Sequence, residues 1–210
     1  MEDISVINKA AELDERNVDA NPIRQFKIWF DEAVGRGLPL AEAMTLCTAT
    51  TDGRPSARMV LLKGVAESGF VFYTNYRSRK ARELDANPFA ALVFYWEPLE
   101  RQVRIEGQVA RISAHESDKY FQTRPRESQL GAIASPQSDV IESREVLKQE
   151  LDELEEKYRD RPIERPIQWG GYRLVPERIE FWKGRPGRLH DRLLYELQAD
   201  GSWKRSRLAP

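Results

Sequence analysis

The period of hydrophobic and polar positions changes several times along the chain, and each change predicts an element. Residues 22–35, PIRQFKIWFDEAVG, place Ile23, Phe26, Ile28, Trp29, Phe30 and Val34 at mainly helical spacing, and Pro22 stands where a helix naturally starts. Runs rich in β-branched and aromatic residues follow and predict strands over 44–51, 56–65, 69–75, 89–96, 102–112, 172–182, 189–197 and 203–208. Asp52-Gly53 and Asp200-Gly201 each separate two such runs, which is a hairpin signal. Short helices fit 78–86 and 114–123. A longer helix fits 141–158, where Leu147, Leu151, Leu154 and Tyr158 form one apolar stripe on an acidic, solvated helix. Hairpins outnumber strand–helix alternations. The pattern therefore predicts a mainly β, α+β chain: an antiparallel barrel with peripheral helices, and not a doubly wound sheet.

Composition narrows the setting. The 210 residues carry 33 Lys+Arg against 34 Asp+Glu, a net charge of −1, which argues against a general nucleic-acid binder. No run approaches the roughly 20 apolar residues of a membrane span. The acidic N-terminus lacks an apolar core for a secretory signal, and a lone Cys47 fits a reducing compartment, so a cytoplasmic location is expected. One Cys with His115 and His190 far apart makes a His/Cys zinc site improbable, and no metal is expected. The near-zero total hides an asymmetry. Residues 1–20 hold six acids and two bases, and residues 142–164 hold nine acids and five bases. The rest is therefore cationic, and a site is sought there. The organisation expected is an acidic, flexible segment over 1–20 and a single domain over 21–210.

No Gly-rich phosphate loop and no nucleophile elbow is present, so any phosphate must be held by side chains and helix ends. Ser78-Arg79-Lys80 puts two cations in a first helical turn, where they oppose the helix dipole unless an anion joins them; a pair of solvated surface cations is the alternative. Arg58 and Lys63 lie about 17 Å apart in an extended run and on opposite faces. They require two anions, a bulge between them, or two ordinary salt bridges. In a strand, Arg188, His190 and Arg192 would share one face and need either an anion over them or cross-strand carboxylates. Tyr120, Arg124 and Ser128 recur every four residues around Pro125, which ends one helix so that Ser128 starts the next turn.

The strings RMVLLK (58–63), FYTN with SRK (72–80), LERQV (99–103), YF through RPR (120–126), SQ (128–129), ASPQS (134–138), WGG (169–171), IEFW (179–182), RLHDR (188–192) and terminal RLAP are jointly specific. In order and over most of its length, the chain resembles the pyridoxine/pyridoxamine 5′-phosphate oxidase family. That resemblance implies a homodimeric, antiparallel FMN-binding split β-barrel with the flavin at the subunit interface. It implies oxidation of pyridoxine 5′-phosphate or pyridoxamine 5′-phosphate to pyridoxal 5′-phosphate, with O2 as acceptor and H2O2 as product.

By the same resemblance, Arg58, Arg79 and Lys80 would hold the FMN phosphate. Met59, Val60, Leu61, Leu62, Lys63, Tyr73 and Thr74 would line the cofactor, and Gln102, Gln137, Ser138, Trp182 and Arg192 would contact it. Lys63, Tyr120, Arg124 and Ser128 would bind the substrate phosphate. Arg188, Leu189 and His190 would face the pyridine ring, with Arg188 and His190 at the reacting carbon. The family commonly covers its substrate with an Arg and a Tyr ahead of the first helix; here no Tyr precedes Tyr73, and no lid residue is carried over. Two competing expectations remain: a related flavin oxidase of the phenazine-precursor type, and a flavin- or pyridoxal-phosphate-binding protein without turnover.

Overall fold

The computed structural model describes residues 12–210. Five α-helices and nine strands follow in the order α1 (Pro22–Gly35), β1 (Ala43–Ala49), β2 (Pro55–Leu61), β3 (Gly64–Ala66), β4 (Gly69–Asn75), α2 (Arg79–Ala86), β5 (Phe89–Trp96), β6 (Arg101–Arg111), α3 (Ala114–Gln122), α4 (Arg126–Ala134), α5 (Arg144–Tyr158), β7 (Trp169–Lys183), β8 (Asp191–Leu197) and β9 (Trp203–Arg207). All strands join one antiparallel sheet in the order β2-β1-β5-β6-β7-β4-β3, with β8 on β7 and β9 on β8. The expected α+β class, antiparallel barrel and peripheral helices are what the chain forms.

Helix α1 begins where Asn21 accepts hydrogen bonds from the Ile23 and Arg24 backbone N–H groups, with Pro22 in the first turn. It buries Ile23, Phe26, Trp29 and Ala33 against the sheet. Phe26 is fully buried, and its ring centroid lies 4.9 Å from those of both Phe70 and Phe94. Both predicted hairpins form, and Gly53 (φ 85°) and Gly201 (φ 82°) supply the left-handed residue that each turn needs.

The run 56–65 is two strands and not one. Leu62 donates from its backbone to Glu42 O at 2.9 Å, beside β1, while Lys63 donates to Val71 O at 2.8 Å, on β4. The chain thus turns a corner at Leu62–Lys63 and links the β2 edge of the sheet to its β3 edge, which curls the sheet. The alternation that put Arg58 and Lys63 on opposite faces ends at this corner.

Strand β7 pairs with β6 along nearly its whole length, interrupted by a bulge at Glu106/Gly107. Its first half also pairs with β4 and its second half with β8. A smaller cluster of Phe121, Leu130, Leu154, Ile163 and Trp169 fastens α3, α4 and α5 beside the first half of β7. The turn expected to start at Ser128 belongs to helix α4, which begins two residues earlier at Arg126; it buries only Gln129 and Leu130, too narrow a face to leave a periodic signal. Of the acidic segment expected to be flexible, residues 1–11 lie outside the described residues. Residues 12–20 are held on the body: Leu13 is buried, Glu15 pairs with Arg207 at 2.7 Å, and Tyr195 Oη donates to Asp19 O at 2.8 Å.

Candidate functional site

A cavity of about 450 Å³ opens where β2, β4, α2, α3, α4 and the start of β7 meet. It is lined by Lys63, Tyr73, Thr74, Lys80, Tyr120, Arg124, Ser128, Gln137 and Trp169, with Met59, Val60 and Leu61 on one wall. Most residues expected to hold two phosphates therefore converge on one space. The corner at Leu62–Lys63 delivers Lys63, the N-terminal turn of α2 delivers Lys80, and the α3–α4 junction delivers Tyr120, Arg124 and Ser128. Leu62 turns the other way and is buried in the main core.

Two cations in the cavity are handled differently from the rest. Lys80 is buried, and its Nζ donates only to neutral oxygens: Gln137 Oε1 at 2.8 Å, and Thr74 and Ser78 hydroxyls at 3.3 Å. Desolvation, reinforced by nearby Arg58, pushes its pKa down to about 8. Arg124 likewise has no carboxylate partner among the described residues. Its Cζ sits 4.5 Å from the Trp169 ring centroid, and its Nη1 is buried without a hydrogen-bond partner. Desolvation lowers its pKa as well. Tyr120, Tyr73 and Trp169 lie near-parallel, with the two tyrosine centroids 3.9 Å apart and Tyr73 5.2 Å from Trp169. Burial pushes the Tyr73 hydroxyl up to about 12, so it is a neutral donor at physiological pH.

Arg58 and Arg79 are already paired. Glu83, one turn along α2, is buried and accepts from Arg79 Nε at 2.8 Å, Arg58 Nη2 at 3.2 Å and the Ser56 hydroxyl at 2.5 Å, and also from the Thr48 hydroxyl. These donors outweigh the cost of burial and hold its carboxyl down at about 2. Arg58 and Arg79 thus share one buried carboxylate, Glu83, that the sequence pattern did not single out, and neither lines the cavity.

The other expected residues lie elsewhere. Gln102 faces Trp182 across β6 and β7, near the end of β7 opposite Trp169. The strand predicted over 189–197 begins only at Asp191, because Pro186–Arg188 forms a short 3-10 turn with Gly187 (φ 68°) and Arg188 (φ 62°) both left-handed. Arg188 and His190 therefore do not share a strand face with Arg192. Arg188 and Leu189 are exposed, and His190 packs on Trp182 with ring centroids 4.6 Å apart and accepts at Nδ1 from Arg185 N. Arg192 takes the cross-strand alternative: Glu180 grips it at 2.8 and 3.1 Å. Ser138 is exposed, with φ 77°, next to Gln137. At about 3.3 Å per residue, the 15-residue β7 separates these two sets by roughly 45 Å of contour.

Residues 30–158 match the family described as pyridoxamine 5′-phosphate oxidase. The chain belongs to this family. Residues 169–210, which contain Trp182, Arg188, Leu189, His190 and Arg192, match the pyridoxine 5′-phosphate oxidase C-terminal dimerisation region. A curated pyridoxine/pyridoxamine 5′-phosphate oxidase of Rubrobacter xylanophilus is 62% identical over 200 residues, 95% of this chain and 92% of that protein. A solved structure of PhzG from Burkholderia lata, in complex with tetrahydrophenazine-1-carboxylic acid, superposes with a TM-score of 0.90 at 33% identity, covering 97% of this chain and all of that one. A pyridoxamine 5′-phosphate oxidase-related, FMN-binding protein of Nostoc punctiforme shares the fold, with a TM-score of 0.73 at 21% identity over 90% of this chain and 98% of its own. The split β-barrel architecture expected of an oxidase of this family is thus the one present. Among the described residues no helix is long and apolar enough to cross a membrane.

Proposed function

We propose that the chain is an FMN-dependent oxidase, acting as a homodimer, that converts pyridoxine 5′-phosphate and pyridoxamine 5′-phosphate to pyridoxal 5′-phosphate. The observation that carries this reading is the cavity in which two cations, Lys80 and Arg124, are desolvated without carboxylate partners. Such cations favour anionic ligands, and two of them suit one phosphate on a cofactor and one on a substrate.

The donor set fits FMN. Lys80 at the start of α2, flanked by Arg79 and backed by Arg58, would hold its phosphate, with Thr74 and Gln137 completing the cradle. Met59, Val60, Leu61 and Tyr73 would flank it, with Ser138 beside Gln137; Gln102, Trp182 and Arg192 would contribute from the dimerisation region and the β6 strand paired with it. When bound, FMN would supply the two-electron redox chemistry that the oxidation at C4′ needs, with O2 as terminal acceptor and H2O2 as product; oxidation of the amine also consumes water and releases ammonia.

The protein's share is orientation and charge. Lys63, Arg124, Tyr120 and Ser128 would fix the substrate phosphate. Arg188, Leu189 and His190 would reach the pyridine ring from the second copy, which accounts for two half-sites at opposite ends of β7. With Nδ1 accepting from Arg185 N, the neutral His190 ring carries its proton on Nε2, the atom free to face a ligand.

The test is aerobic turnover of pyridoxamine 5′-phosphate by purified, flavin-loaded protein, preceded by an absorption spectrum for bound flavin. Production of pyridoxal 5′-phosphate with peroxide is expected; neither product forming overturns the proposal. The likeness to PhzG favours a second reading, oxidation of an unphosphorylated phenazine precursor. That reading requires turnover of such a substrate with a KM unaffected by Arg124→Ala.

A further inference from the structure

We propose that Trp169 is a positioning residue: its indole face holds the Arg124 guanidinium and thereby sets the affinity of the cavity for a phosphorylated ligand. The inference rests on the substrate-phosphate part of the reading above and is independent of its redox chemistry.

Arginines elsewhere in the molecule show the contrast. Arg58 is held by Glu83, Arg101 by Glu32 at 2.6 Å, and Arg192 by Glu180. A carboxylate in those positions fixes the guanidinium, but it also neutralises its charge and occupies its N–H donors. Arg124 has neither effect imposed on it. Its Cζ lies 4.5 Å over Trp169 and 5.7 Å from Phe121, and Nη1 is buried with no hydrogen-bond partner. An aromatic face attracts the cation through its quadrupole while leaving both the charge and the edge donors free. That is the arrangement a phosphate site needs, because the anion meets an oriented cation with no competing carboxylate.

Trp169 is itself immobilised. It is 6% exposed, its carbonyl accepts from Arg165 Nη1 at 2.6 Å, and Tyr73 lies 9° from parallel to its ring. The two glycines that follow make this packing possible. A Cβ at Gly170 would lie 2.2 Å from Tyr76 Oη, and one at Gly171 would lie 2.9 Å from Tyr73 Cε1. The W-G-G string thus reads as a rigid aromatic shelf under Arg124. Arg124 itself sits in the connector between α3 and α4, which has no regular structure to orient it.

The experiment compares Trp169→Leu, Trp169→Phe, Arg124→Ala and the Arg124→Ala/Trp169→Leu double variant, each checked for folding by circular dichroism. Trp169→Leu is expected to raise KM for pyridoxamine 5′-phosphate about tenfold with kcat changed less than twofold. The Kd for pyridoxal 5′-phosphate, titrated by calorimetry, should rise by the same factor. Unphosphorylated pyridoxamine should be unaffected, Trp169→Phe should recover most of the loss, and Trp169→Leu should add less than twofold in the Arg124→Ala background. Equal effects on phosphorylated and unphosphorylated ligands, or independent effects that multiply in the double variant, overturn the proposal. Should the wild-type protein turn over neither vitamer, the proposed function fails. The calorimetric arm, repeated with inorganic phosphate, still decides whether Trp169 sets anion affinity.

Discussion

Lys80 is a buried cation that the fold holds at the expense of its own stability. Its ammonium is buried among neutral acceptors, and its pKa falls from 10.5 to about 8, chiefly through desolvation. At about 1.4 kcal/mol per pH unit, this difference is about 3 kcal/mol of folding free energy forgone at neutral pH. Between pH 8 and 10.5 the unfolded chain keeps the Lys80 proton and the folded chain has released it. The unfolded state then binds more protons, so stability rises with pH through that window, and the penalty is present in full below it. Lys80→Met removes the charge and keeps the length. The lost hydrogen bond to Gln137 offsets about 1 kcal/mol, leaving the flavin-free variant about 2 kcal/mol more stable than wild type at pH 7. Urea unfolding at fixed protein concentration, at pH 7 and 9.5, measures both quantities. Wild type should gain about 2 kcal/mol from Lys80 between those pH values, and the variant should lack that gain. A variant less stable at pH 7, or one with an unchanged pH dependence, refutes the reasoning.

Glu83→Gln leaves the half-buried Arg58 without its counter-charge and should cost about 2–3 kcal/mol in urea unfolding at pH 7. Because the Glu83 carboxyl is held at about 2 against 4.5, its contribution is complete above pH 4.5 and is lost as pH falls toward 2; the variant should lose less stability over that range. Phe26→Ala empties the contact among Phe70, Phe94 and Trp96 and should cost about 3–5 kcal/mol, read as a lowered thermal midpoint. His190→Ala should reduce turnover at least about tenfold while the flavin-to-protein ratio measured by absorbance stays unchanged.

Elements governed by local pattern were legible, and those governed by long-range partners were not. The helix at 22–35 and the strands at 69–75 and 89–96 match residue for residue, because each buries a regularly spaced set of apolar side chains in the main core. The division of 56–65 was invisible as periodicity, since the residues on both sides of the corner are apolar; only the awkward placement of Arg58 and Lys63 pointed to it. The strand at 189–197 was read two residues too early, because the alternation of Leu189, Asp191 and Leu193 with His190 and Arg192 continues back to the left-handed turn at Gly187–Arg188. Tyr120, Arg124 and Ser128 were legible as a set because a proline fixes the junction between them. The contacts of Glu83 with Arg58 and Arg79, and of Trp169 with Arg124, were not legible, since which arginine each one holds is a tertiary fact.

The length of β7 has a genetic consequence. If each catalytic centre draws the cavity from one copy and the Trp182–His190 end from the other, damage at the two ends is borne by different partners. A chain altered at Arg124 and a chain altered at His190, each inactive alone, would assemble into mixed pairs in which one of the two centres is built wholly from intact parts. Two alleles damaged at the same end would never do so. One long strand, by carrying the two half-sites apart, makes complementation between alleles a mapping tool for which end of the sheet a mutation has struck.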